Sequence, residues 1–96
     1  MATVTIYTRS LCGYCWRATR LLRKKGVAFD ERDTTGDAAT RAWLEQLTGR
    51  STVPQVFING RAIGGCDDLH ALDDRGELDR LLAEPARPNP TPPTPR

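Results

Sequence analysis

A chain of 96 residues that is 39% hydrophobic and 27% charged has the size and balance of one compact domain, which argues against a membrane protein and against wholesale disorder. Residues 1–84 hold twelve basic and twelve acidic groups, so the net charge of +2 comes from Arg87 and Arg96 alone. A neutral body excludes the strongly basic field of a nucleic-acid binder. Three cysteines, an odd number, do not make the even disulfide framework of a small secreted domain. Met1-Ala2-Thr3 runs into a strand pattern with no basic and long apolar leader, and no stretch approaches the roughly 20 apolar residues of a membrane span. A cytoplasmic protein with no membrane partner is expected.

In chain order, Val4, Ile6 and Tyr7 mark a strand over residues 3–8, ended by the polar Arg9-Ser10. A helix over 15–25 follows, with Trp16, Ala18, Leu21 and Leu22 as its apolar surface and Gly26 as its stop. Arg17, Arg20, Arg23, Lys24 and Lys25 then lie toward the C-terminal end of that helix, where the macrodipole favours cations, and read as a solvated face. Residues 27–29 begin a second strand, and Thr34 or Thr35 caps a helix carrying Ala38, Ala39, Ala42, Trp43, Leu44 and Leu47 up to Gly49. Residues 56–58 and 61–63 are strands joined by Asn59-Gly60, a strong hairpin signal that makes them antiparallel. Gly64-Gly65 breaks the pattern, and Asp67 and Asp68 open a helical region through Leu69, Leu72, Leu78, Leu81 and Leu82, interrupted near Gly76. The order β-α-β-α-β-β-α-α predicts an α/β domain with a four-stranded mixed sheet flanked by helices, which is the thioredoxin-fold order. From Pro85 onward six of twelve residues are proline, so the domain is placed at 1–84 and residues 85–96 are read as a disordered tail.

The chemistry centres on Cys12-Gly13-Tyr14-Cys15. Cys12 falls where a strand gives way to a helix, so unpaired backbone N–H groups, helped by nearby Arg9, favour its thiolate and make it the expected nucleophile. Cys15, about one helical turn on, is the natural resolving thiol. A lone C-x-x-C also serves zinc sites, and Cys66 and His70 complete a formal ligand set with it. A chain with this many strands and helices does not need a metal to fold, so no metal is expected; Cys66 reads as a small buried hydrophobe and His70 as a surface residue. Thr52-Val53-Pro54 precedes a strand; a cis bond there would turn the Val53 backbone outward to pair with an extended peptide, while an ordinary strand-initiating proline explains the residues as well. Gly64-Gly65-Cys66-Asp67-Asp68 is either a simple turn or a carboxylate-binding helix start.

C-G-Y-C near the start, T-V-P-Q-V-F-I-N-G in the middle and G-G-C-D-D-L after it resemble the glutaredoxins, particularly the small bacterial dithiol type, over roughly residues 3 to 83. The resemblance implies a cis Pro54 and a glutathione-dependent thiol-disulfide oxidoreductase acting on glutathionylated or disulfide-containing proteins. It further implies a glutathione site. Arg9 and Tyr14 would serve the glycine-end carboxylate, the Val53 backbone within Thr52-Val53-Pro54 would pair with the cysteinyl unit, and Gly65, Cys66, Asp67 and Asp68 would hold the γ-glutamyl end. Gly13 replaces a proline common in dithiol members. Some members lacking that proline bind a [2Fe-2S] cluster with glutathione between two subunits, so a cluster carrier with Cys12 as ligand is the rival expectation. The enzyme would be a monomer, and a dimer only with the cluster bound.

Overall fold

The computed structural model describes residues 1–93 and gives eight elements: β1 (Val4–Thr8), α1 (Gly13–Lys24), β2 (Asp30–Asp33), α2 (Ala38–Thr48), β3 (Gln55–Ile58), β4 (Arg61–Gly64), α3 (Cys66–Asp74) and α4 (Glu77–Ala83). The sheet order is β2-β1-β3-β4, with β1 and β2 parallel and the other two pairings antiparallel. This is the thioredoxin fold, in the element order expected. Among the described residues no helix is long and apolar enough to cross a membrane.

Side-chain alternation along β1 divides the core between the two faces of the sheet. Val4 and Ile6 pack with Val56 and Ile58 of β3 against Ala18 and Leu22 of α1, Leu69 of α3 and Leu78 of α4. Tyr7 and Phe57 point the other way and enclose Leu44 of α2 with Trp43 at the margin. Tyr7 meets Phe57 and Trp43 edge-on, with ring centroids 5.8 and 5.9 Å away, the arrangement aromatic quadrupoles favour. Asn59 and Gly60 both take positive φ, 51° and 83°, as a two-residue hairpin turn twisted to match its strands requires.

Three expectations are corrected. The second strand lies at Asp30–Asp33, not at 27–29: Val27 and Phe29 instead pack onto the core margin, while the ladder pairs Thr5 with Asp30 and Thr8 with Asp33. β2 is thus an exposed edge carrying four charged side chains, which discourages pairing with another chain. α2 is capped by Asp37, whose carboxylate accepts from the Thr40 N–H at 3.0 Å, and not by Thr34 or Thr35. Trp16 is not core either; it is 58% exposed, because the inward face of α1 is set by Cys15, Ala18, Thr19 and Leu22, one to four residues apart on the helix.

Beyond α4 residues 85–93 form no helix or strand, but they are tied to the domain. Asn59 donates to the Pro85 carbonyl at 3.1 Å and accepts from the Arg87 N–H at 2.9 Å. Asn89 donates to the Thr3 carbonyl at 3.1 Å and to Thr5 Oγ1 at 3.0 Å, and accepts from the Gly60 N–H at 2.6 Å. The sequence reading of a disordered tail did not anticipate this strap; its last three residues, 94–96, lie outside the described residues. Asn89→Ala removes these partners together and is expected to lower stability by about 1–2 kcal/mol, read as a lower urea midpoint with an unchanged thiol activity.

Candidate active site

α1 begins immediately after Cys12, which has extended backbone (φ −111°, ψ 105°) and acts as the N-cap. Its sulfur takes the place an N-cap oxygen fills elsewhere and accepts the Cys15 N–H at 3.1 Å. A donor aimed at the sulfur from the positive end of a helix stabilises negative charge on it. The Cys12 sulfur also lies 4.0 Å from the Val53 carbonyl, at the Val53–Pro54 bond, which is cis as the resemblance implied.

The loop that presents Cys12 is held from the side. Thr34 donates from its N–H and its Oγ1 to the Thr8 carbonyl, at 2.8 and 2.7 Å, and Thr35 Oγ1 accepts the Ser10 N–H at 2.8 Å. The two threonines expected to cap a helix therefore brace the turn before the reactive cysteine. On the far side, buried Gln55 donates to the carbonyls of Arg50 and Thr52 at 2.7 and 3.0 Å and so fixes the loop that carries Val53.

The three thiols differ in environment. Cys12 is half-buried, and Cys15 and Cys66 are buried. Burial, together with a hydrogen bond to Cys12, pushes the Cys15 thiol up to about 12; burial raises Cys66 as well. Cys15 is thus protonated across the physiological range, and only above about pH 9, where a free thiol would ionise, does keeping it neutral begin to cost the folded state stability. Limited alkylation of the reduced protein with iodoacetamide between pH 7 and 9 is expected to label Cys12 alone, with Cys15 labelled only on unfolding, as peptide mass spectrometry would show.

Two clefts lie near Cys12, whose sulfur is 4.0 Å from the carbonyl of Val53 in one and which itself lines the other. One, of about 300 Å³, is walled by Tyr14, Thr52, Val53 and Pro54 on one side and by Gly65, Cys66, Asp67 and Asp68 at the start of α3 on the other. Asp68 is structural and half-buried: it accepts the Gly65 N–H and Arg50 Nη1, each at 2.9 Å, which holds its carboxyl below the usual carboxylate range. Gly64, at φ +115°, has no room for a Cβ because the Asp68 carboxylate occupies that space. The second cleft, of about 210 Å³, contains Arg9, Leu11, Cys12, Cys15 and Trp16.

Eight of the nine residues expected at the ligand site therefore share the first cleft, and Arg9 does not; it lines the second. Arg50, missed in the sequence, lines the first cleft in a position to meet a carboxylate. Its signal was slight, a single cation two residues before Thr52-Val53-Pro54. Cys66 joins the core and lies 3.5 Å from His70 Nδ1. Among the described residues no three potential metal ligands converge.

Gly13 occupies the first position of α1, and a Cβ there would meet nothing within 4 Å. The preceding Cys12 is already extended, as a residue before proline must be. Gly13→Pro is therefore expected to raise stability by about 0.5–1 kcal/mol by restricting the unfolded chain, measured as an upward shift of the urea midpoint.

Residues 4–63 match the family model described as Glutaredoxin. Glutaredoxin 3 of Escherichia coli (strain K12) is 56% identical over 82 residues, spanning 85% of this chain and 99% of that one. The solution structure of glutaredoxin from Brucella melitensis superposes with a TM-score of 0.77 at 50% identity, over 85% of this chain and 89% of that one. The crystal structure of a buckwheat glutaredoxin-glutathione complex does so with a TM-score of 0.80 at 33% identity, over 84% and 76%. With a capped cysteine at a helix start, a buried partner one turn on and these relatives, the chain belongs to the glutaredoxin family and is a thiol-disulfide oxidoreductase.

Proposed function

We propose that the chain reduces glutathione mixed disulfides and protein disulfides with glutathione as its reductant, Cys12 being the nucleophile and Cys15 the resolving thiol. The observation that carries this is the position of the Cys12 sulfur. It accepts a helix-start N–H at 3.1 Å and lies 4.0 Å from the carbonyl of Val53, which lines a cleft of about 300 Å³, at the small end of the ligand-site range of about 300–1,000 Å³. The cleft offers the Val53 backbone to a peptide, with Arg50 and the α3 start to carboxylates. Glutathione, an extended tripeptide with one thiol and two carboxylates, matches that set. Tyr14, Thr52 and Pro54 would shape its wall, and Gly65, Cys66, Asp67 and Asp68 would hold the γ-glutamyl end. Arg9, on the other side of the sulfur, is better placed to meet the incoming thiol than the bound tripeptide.

In the first step the Cys12 thiolate attacks the glutathionyl sulfur, a Cys12–glutathione disulfide forms, and the substrate leaves as a thiolate. The thiolate of a second glutathione then attacks that adduct, giving glutathione disulfide and free Cys12. For a substrate with an internal disulfide, the Cys12 thiolate attacks one sulfur and frees the other as a thiolate; Cys15 passes its proton to that thiolate, attacks the Cys12 sulfur and expels the second substrate thiolate, and two glutathiones reduce the resulting bridge. Such chemistry suits the reducing cytoplasm, where the protein is placed by this reading. Incubating the Cys15→Ser variant with a glutathionylated peptide tests it: one glutathione adduct is expected, mapped to Cys12 by mass spectrometry, and an adduct on Cys66 instead would refute the assignment.

The alternative is a [2Fe-2S] cluster held between two chains, favoured by Gly13 in place of proline. Cys12 is the one cysteine of the three that is not buried, so it alone fits as a ligand, with glutathione and a second chain supplying the rest. Anaerobic purification separates the readings, since a coloured dimer supports the carrier and a colourless active monomer the enzyme.

A further inference from the structure

A groove of about 440 Å³ runs along α1 beside α3, floored by Trp16 and Leu21 and bounded by His70. Trp16 also lines the cleft that contains Cys12 and Cys15, so the groove and that cleft meet at this side chain. Its charge is one-sided. Arg17, Arg20 and Lys24 are exposed along it, α1 holds no acidic residue, and none of the three cations makes an ion pair among the described residues, whereas Arg23 pairs with Glu31. Asp73, the acidic group at the groove, is already engaged by Lys25 at 2.5 Å. Arg20 lies over the Trp16 ring of the groove at 5.2 Å, and Arg17 over the ring of Tyr14, in the neighbouring cleft, at 6.0 Å. In a body with equal numbers of positive and negative groups over residues 1–84, three unpaired cations leading away from the active sulfur are a local excess, beyond what a helix C-terminus requires.

We propose that this groove docks an acidic segment of the protein substrate, adjoining the cysteine that Cys12 attacks. From Trp16 to Lys24 the helix rises about 12 Å, which an extended chain covers in about four residues. The segment is therefore a short run of Asp and Glu beginning within a few residues of the target cysteine. The inference rests on the proposed oxidoreductase reading and adds to it a choice among substrates.

The test uses two glutathionylated peptides identical except for four flanking residues, Asp/Glu in one and Lys/Gln in the other, with cysteine–glutathione disulfide as the small substrate. At low salt the acidic peptide is expected to have a kcat/KM about ten-fold above the basic one, and the ratio should collapse toward one near 1 M salt, where screening reaches about 3 Å. The double variant Arg20→Glu/Lys24→Glu should invert the preference and leave turnover of the small disulfide unchanged. Equal rates for the two peptides in the unaltered protein, or a preference that survives the double variant, would overturn the docking proposal. Should the double variant fail to fold, the salt dependence of the unaltered protein decides alone. If the small disulfide is not turned over, the oxidoreductase reading fails, and binding of an acidic peptide carrying serine in place of its cysteine still decides the groove: salt-sensitive binding upholds it and none refutes it.

Discussion

Cys12→Ser is expected to abolish reduction of a glutathionylated peptide, by about 10³-fold or more in kcat, while Cys15→Ser keeps most of that activity and loses reduction of substrates with an internal disulfide. The asymmetry follows from the two sulfurs' surroundings. Cys12 is partly open and receives the N–H of Cys15, so a serine there retains the cap but supplies no thiolate. Cys15 is buried, pushed up to about 12, and protonated near neutrality; it acts only when the Cys12 disulfide lies beside it and no external thiol arrives first. A coupled glutathione reductase assay on both variants, with a disulfide-bridged peptide as second substrate, reads the split. Equal activity of the two variants on the glutathionylated peptide would mean that the nucleophile is misassigned.

Leu22→Ala is expected to cost about 3 kcal/mol, a large part of the roughly 5–15 kcal/mol that holds a domain together. Leu22 is fully buried between α1 and the sheet, among Ile6, Ala18 and Ile58, and neither the helix nor the sheet can close on the missing atoms without moving the other. A Tm lowered by roughly 15 °C is expected for a domain of this size. The consequence reaches function through geometry: α1 carries Cys12 at its head, and its packing sets where that sulfur stands relative to Val53. Thermal unfolding read beside activity at 20 °C checks this, with a nearly normal rate in the cold and early loss on warming.

The sequence was most legible where chemistry is local. Asn59-Gly60 specified its turn because both residues must take positive φ, and Gly49 ended α2 in the left-handed conformation for a related reason. It was least legible where partners are remote. Val27 and Phe29 have strand-forming side chains, yet the ladder formed at the charged Asp30–Asp33 segment, because the position of β1 and the length of the connection from α1 decided the register. Trp16 looked like core by hydrophobicity, but four neighbours on α1 fixed the inward face and left it outside.

The thiol pair, its place at a strand-to-helix junction, the hairpin and the order of elements were thus determined by the sequence alone, since each depends on residues within a turn or two of one another. Only the tertiary structure decided that Thr34 and Thr35 brace the cysteine loop from 25 or so positions away, that Arg50 and not Arg9 shares the cleft with Val53 and Asp68, and that Asn89 straps the strand ends. These contacts join segments far apart in the chain. Which of them form depends on how whole helices and strands pack, a choice made by the sum of many buried contacts and encoded in no single stretch.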